Sequence, residues 1–396
     1  MSSTSPPTTV AAATIRVQPG ETAATKADAI QYVRAVAAML VVFYHQTVYF
    51  ARMAGESRLH DVFGGRPGLI GVVAFFVLSG YLMADIAPKY RPATFLVHRI
   101  IRIYPTYWLC VALGACFLTW LWFVTKPNAD FVPNIAHMLF GRGDVRDALR
   151  LTLAPMVFPD FPLGIEWTLL YETTFYLIIF LVSLTGLLRF LPHLAVLWLG
   201  LVIAAMWANP AREGGYTTPS IATLPFFGIN AAFIFGVLAA RVRNRIPALP
   251  AIAAGIGLLV LAEFTPHRLT MVQVAAGLAL VVIGVIGIER NGRLSSLPVL
   301  RRLGDWSYAM YLVHVPVILA AFKLMPTNAP VWLAMGVSFA CVLLASAAIG
   351  SMDVAMYYRL KRVVDRAPAP ARVTIAACFV IVFLAAGLYG LTASKA

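Results

Sequence analysis

The chain has 396 residues, of which 60% are hydrophobic and 12% charged, against about 25% charged in soluble domains. Most of its length therefore has no water-facing surface to cover, which excludes a soluble globular domain. The net charge of +14 does not point to nucleic acid, because there is no polar domain on which Lys and Arg cluster; it fits the positive-inside bias of membrane proteins.

Residues 1–27 are rich in Ser, Thr, Pro and Ala without an apolar run and read as a disordered cytoplasmic tail. They do not form a cleavable signal peptide, since the first apolar stretch starts late and many more follow. Apolar stretches then recur at 29–50, 69–87, 102–124, 166–187, 193–209, 225–241, 248–265, 270–289, 305–323, 330–350 and 373–393. A helix of about 20 residues crosses a hydrocarbon core of about 30 Å, and backbone in lipid must satisfy its own hydrogen bonds. The expected fold is an all-α polytopic membrane helix bundle of 10–11 spans filling residues 28–394. The longest break, 125–165, holds Pro127, Pro133, Pro155, Pro159 and Pro162 and is expected to contain short interfacial helices. With the N-terminus cytoplasmic, the inner segments carry 19 Lys and Arg against 11 outside, which favours that orientation in a bacterial inner membrane. Cys110, Cys116, Cys341 and Cys378 lie in apolar stretches without metal-ligand spacing, so they read as small buried hydrophobes, and no metal is expected.

Ionisable residues inside a span are costly and mark functional candidates. Arg34 and His45 in the first span are eleven residues apart, which puts them on one helical stripe about 16 Å apart along the axis. Alone, Arg34 reads equally as a snorkelling anchor and His45 as a hydrogen bond between helices. The fourth span opens with Glu166 and Trp167 and places Glu172 and Tyr176 on one face. The ninth places Ser307, Tyr311 and His314 on one face, with Tyr308 beside them; such a stripe serves as packing glue as readily as a site. Lys89, Arg91, His98, Arg99 and Arg102 form a basic group at the inner mouth, suited to lipid head groups or a phosphorylated substrate. Ser79 and Gly80 offer a small polar kink point at mid-depth.

Five segments resemble, in order, the motifs of the membrane acyltransferase-3 family. They are RAVAAMLVVFYH at 34–45, GVVAFFVLSGYL at 71–82, HRIIRIYPTYW at 98–108, WTLLYETTFY at 167–176 and LGDWSYAMYLVH at 303–314. The fourth is similar to the form found in the branch that acylates exopolysaccharides. The chain departs from the family's Arg-Arg-x-x-Arg at His98, which puts the first basic contact in doubt. The last span ends close to the final residue, so the extracytoplasmic hydrolase-like domain of some members is not expected.

The resemblance implies an O-acyltransferase that moves an acyl group, most often acetyl, from acetyl-CoA or another acyl-CoA to a hydroxyl of a cell-surface polysaccharide or lipid-linked glycan. It implies no tightly bound cofactor. On that footing His45 is expected to act as base or acyl relay, with Glu172 polarising an imidazole or holding the acceptor hydroxyl. Arg99 and Arg102 would take the CoA phosphates, aided by Ser79 and Tyr308, and Arg34 the pantetheine end or the carbonyl. Tyr176, Tyr311, His314 and Trp167 are the expected acceptor contacts. Two rivals fit the same residues: a proton-coupled exporter of a glycan or drug using His45 and Glu172, and an acyltransferase acting on a small lipophilic acceptor such as a macrolide. Against the exporter, no internal repeat is visible.

Overall fold

The computed structural model describes residues 28–54, 65–125, 145–156, 163–213, 219–264, 267–326 and 328–393. The tail at 1–27 and most of the 125–165 break lie outside these residues. The helices are α1 (Asp28–Ala54), α2 (Arg66–Ile86), α3 (Pro92–Thr125), α4 (Val145–Leu149), α5 (Trp167–Leu184) and α6 (Leu191–Ala208). They continue as α7 (Asn230–Val242), α8 (Ala248–Leu261), α9 (His267–Arg290), α10 (Pro298–Leu324), α11 (Val331–Arg366) and α12 (Ala369–Ala393). No strand occurs among the described residues, and the chain is an all-α multi-pass membrane protein.

Nine of these helices are long and apolar enough to cross a bilayer. Of the three exceptions, α4 has five residues, and two fall on expected spans: α7 has 13 residues and α8 has 14, about 20 Å each. α7 is nonetheless central, with most of its side chains buried, and irregular backbone at 219–229 leads into it. Exposed backbone of that kind is not tolerated in lipid. Here Asn230, wholly buried, donates to the carbonyls of Leu224 and Phe227 at 2.8 Å each and supplies partners from within the protein.

The helix ends sort onto two faces. On one, Asp28 pairs with Arg301 at 3.2 Å, Arg243 pairs with Asp85 at 3.1 Å, and His98 meets Asp365 at 2.8 Å. Arg243 lies beyond the end of α7; burial works against its charge, but Tyr81 and Asp85 together raise its pKa. The opposite face carries the exposed ion pair of Arg66 with Glu263, joining the start of α2 to the end of α8. α1 packs between α2 and α10, α2 lies along α7, and α8 along α9.

Three expectations are corrected. Ser79–Gly80 is no kink point, because α2 runs through it as continuous helix. The glycine instead admits the α7 backbone: a Cβ on Gly80 would strike the carbonyl oxygen of Phe233, and one on Gly236 that of Val77. Of the four cysteines only Cys110 is buried; the others are exposed, on apolar helices where exposure means lipid. Finally, α3 and α11 overrun their predicted spans at the charged face. At 34 and 36 residues they are about 50 Å long, well beyond the apolar core, and His98 with Asp365 ties the two extensions together.

Candidate active site

Side chains from α1, α2, α3, α5 and α10 enclose a cavity of about 120 Å³. Its wall is apolar except for one concentrated group: Arg34, Arg99, Arg102, Glu172, Tyr176, Tyr308, Tyr311, Ser79, Ser307 and Thr168. Helical spacing explains the convergence. On α3, positions 99, 102 and 103 face the cavity, whereas 100, 104 and 108 face an apolar groove against α12. The three guanidiniums are held differently. Arg102 gives an Nη1 hydrogen bond of 2.8 Å to Asp353. Arg99 has no ion pair among the described residues and lies over the Tyr176 and Phe95 rings at 5.8 and 6.0 Å. Arg34, from α1, lines the same wall as Arg102 and Glu172. The Tyr176 hydroxyl donates to Glu172. Three buried polar atoms on the cavity residues, Arg99 Nε, Ser79 Oγ and Ser307 Oγ, have no partner among the described residues.

Both histidines stand beyond this cavity; neither lines it. Tyr311 connects the two regions: it lines the cavity, and its ring lies 5.7 Å from that of His314 and 6.0 Å from that of Phe75. Its hydroxyl is held by Thr168 at 2.7 Å. His314 Nε2 is 3.2 Å from His45 Nδ1. The backbone assigns the protons: His314 Nδ1 lies 2.7 Å from the Tyr311 carbonyl and His45 Nδ1 lies 2.9 Å from the Val41 carbonyl. A carbonyl only accepts, so both Nδ1 atoms carry hydrogen. His45 Nδ1–H is then shared between Val41 and His314 Nε2, and the lone pair of His45 falls on its Nε2. His314 is fully buried, while His45 is half-buried.

Comparison with known proteins gives this arrangement a family. The acyltransferase-3 model, described as an acyltransferase domain, matches residues 28–351. The chain belongs to the acyltransferase-3 family. Relatives include the exopolysaccharide production protein ExoZ of Rhizobium meliloti (strain 1021), 29% identical over 78% of this chain and 92% of its own. A second is the putative membrane-bound transacylase BcsY of Komagataeibacter xylinus, 28% identical over 65% of this chain and 68% of its own. No solved structure matches the chain. The acyltransferase-3 membership makes the protein a membrane acyltransferase and removes the exporter reading.

The structure divides the expected site residues. Arg34, Ser79, Arg99, Arg102, Glu172, Tyr176, Tyr308 and Tyr311 share the cavity, and His45 and His314 pair beyond it. Trp167 does not line the cavity; its ring packs edge-on against Tyr171 at 6.3 Å. Glu172 is bound to Tyr176, on the guanidinium side, so the imidazole of His45 is oriented by His314 and a backbone carbonyl instead. The basic group at the mouth splits. Lys89 pairs with Asp85 at the surface, while His98 is buried against Asp365 and does not line the cavity. The family's missing first arginine therefore removes nothing from the cavity wall. Sequence reading missed Asp353, because the apolar run ends at 350 and the polar continuation of α11 gives no hydropathy signal; a lone carboxylate three residues past an apolar run was the available clue.

Proposed function

We propose that this acyltransferase moves an acyl group, acetyl, from acyl-CoA at the cytoplasmic face to a hydroxyl of an exported polysaccharide. The observation that carries the reading is the His45–His314 pair standing beyond Tyr311 from a cavity lined by three guanidiniums. The face bearing Asp28, Arg243, Arg301 and Asp365 is taken as cytoplasmic, with the positive-inside bias in support, and the membrane as the bacterial inner membrane. The polysaccharide acceptor rests on the name of ExoZ, which covers most of the chain.

The donor's phosphates sit at Arg99 and Arg34, where guanidinium groups pair phosphate oxygens bidentately, with Arg102 and Tyr308 closing the wall and Ser79 and Ser307 offering hydroxyls. The pantetheine arm runs past Tyr311 to the imidazole pair. Arg34 lies about 16 Å from His45 along the same helix, so it serves the donor's body and not the carbonyl under attack. At the pair, His45 Nε2 takes the proton of the acceptor hydroxyl as its oxygen adds to the thioester carbonyl. The hydroxyls of Thr168 and Tyr311 bond to each other and to the Ile165 carbonyl, and the O–H that faces that carbonyl turns from it to donate to the oxyanion. Collapse expels the CoA thiolate, which takes the proton back from His45, and the ester leaves on the acceptor. His314, through Nε2, holds the His45 ring and spreads its positive charge.

His45→Ala is expected to lower transfer by about 10²–10⁴-fold, the usual worth of a general base, with the protein still present in the membrane. Mass spectrometry of the surface polysaccharide reads the outcome, and undiminished acylation would sink the assignment.

A further inference from the structure

We propose that Asp353 is a positioning residue for the donor site: it fixes the Arg102 guanidinium in the cavity wall and so sets donor affinity, not turnover. This rests on the acyltransferase reading above. Asp353 lies just past residue 351, where the family match ends, so the resemblance assigns it nothing.

The geometry is that of a clamp. Asp353 is 2% exposed, and each carboxylate oxygen is used. Oδ2 accepts from Arg102 Nη1 at 2.8 Å and Oδ1 from the Thr106 hydroxyl at 2.6 Å. Residues 102 and 106 are one turn apart on α3 and share a face, so a single carboxylate from α11 grips two successive turns. Two rings also lie against the Arg102 guanidinium, Tyr308 at 5.4 Å and Tyr357 at 5.5 Å. Tyr308 is pinned by its hydroxyl to the Ile103 carbonyl at 2.9 Å, and Tyr357 stands one turn after Asp353. A guanidinium has five N–H donors in a rigid fork. The hydrogen bond to Asp353 uses one, and others remain for an anionic ligand in the cavity that Arg102 lines. An ion pair serving the fold alone has no need of a guanidinium that also walls a ligand cavity. The clamp also sorts the charges: Asp353 offsets the charge of Arg102, which meets the donor through its remaining N–H groups, while Arg34 and Arg99 supply the net positive charge.

The test is a mutant cycle on the detergent-solubilised full chain, with acetyl-CoA as donor and a purified polysaccharide as acceptor. Asp353→Asn keeps an acceptor for Thr106 but turns an amide N–H toward Arg102. It is expected to raise the KM for acetyl-CoA by about tenfold, the loss of one charge-assisted hydrogen bond, with kcat within about threefold. Thr106→Val, which leaves every charge in place, is expected to raise the same KM by about threefold and carries the test if Asp353→Asn fails to accumulate. Combined with Arg102→Ala, either change is expected to add nothing further, since Asp353 acts through Arg102. Additive effects in the double variants, or a fall in kcat at unchanged KM, would overturn the assignment. A wild-type protein that turns over no acyl-CoA would overturn the functional reading and this inference with it, whereas wild-type turnover with an additive cycle overturns the inference alone.

Discussion

His45 and His314 each use Nδ1 toward a backbone carbonyl, and that fixed proton placement gives the pair a direction: one imidazole accepts, the other is left with a free lone pair. The direction predicts unequal tolerance at position 314. His314→Gln offers a carbonyl oxygen where Nε2 accepts and is expected to keep more activity than His314→Ala, which is expected to lose about 10–100-fold, the scale seen when the partner orienting a reactive imidazole is removed. Initial rates of the two variants decide it; equal and complete loss would make His314 itself the proton acceptor. Helical arithmetic puts His45 and His314 at comparable depth on stripes of two helices, but it did not pair them: His314 was expected at the acceptor, and packing brings the two rings together. Glu172 was not placed as well. Its depth was legible, but a carboxylate at that depth has guanidiniums and imidazoles within reach of different rotations of α5, and only packing chooses between them.

The crossing of α2 and α7 shows what an element needs from a single residue. Gly80 and Gly236 bring two backbones into contact, and helices in lipid associate through such small-residue contacts. Gly80→Ala is expected to cost about 1–3 kcal/mol through overpacking, seen as a lowered melting temperature in detergent. Gly257→Ala, where a Cβ meets nothing within 4 Å, is expected to be neutral or stabilising by up to about 1 kcal/mol. A melting temperature for Gly80→Ala no lower than that for Gly257→Ala would contradict this account of the crossing. Hydropathy located these elements well because lipid demands an apolar length. It failed at the ends of α3 and α11, where helix continues into water and the demand ceases, and at α7, whose 13 residues count as a span only when the irregular backbone before them is added.

At the scale of the whole molecule, the sorting of helix ends makes orientation testable. Single cysteines introduced at Arg245 and Glu263, in a chain with its four native cysteines replaced, sit after α7 and after α8, on opposite faces. A membrane-impermeant thiol reagent applied to intact spheroplasts is expected to label position 263 and spare 245. The reverse pattern would place the guanidinium cavity on the outer side and detach it from a cytoplasmic donor. The five recognisable motifs, spread over α1, α2, α3, α5 and α10, are gathered by the up-and-down path of the helices around one cavity.

The contact of Phe75 with Tyr311 has an electrical consequence. A polar path running unbroken from Arg34 to His45 would let protons hop down the membrane's potential, and each elementary charge crossing 100 mV dissipates about 2.3 kcal/mol. Tyr311 lines the guanidinium cavity and its ring lies against that of His314, with the apolar ring of Phe75 packed against it, so aromatic rings crowd the region between cavity and histidines. The packing of Phe75 on Tyr311 thus narrows the route by which protons could pass between the guanidinium cavity and the imidazole pair.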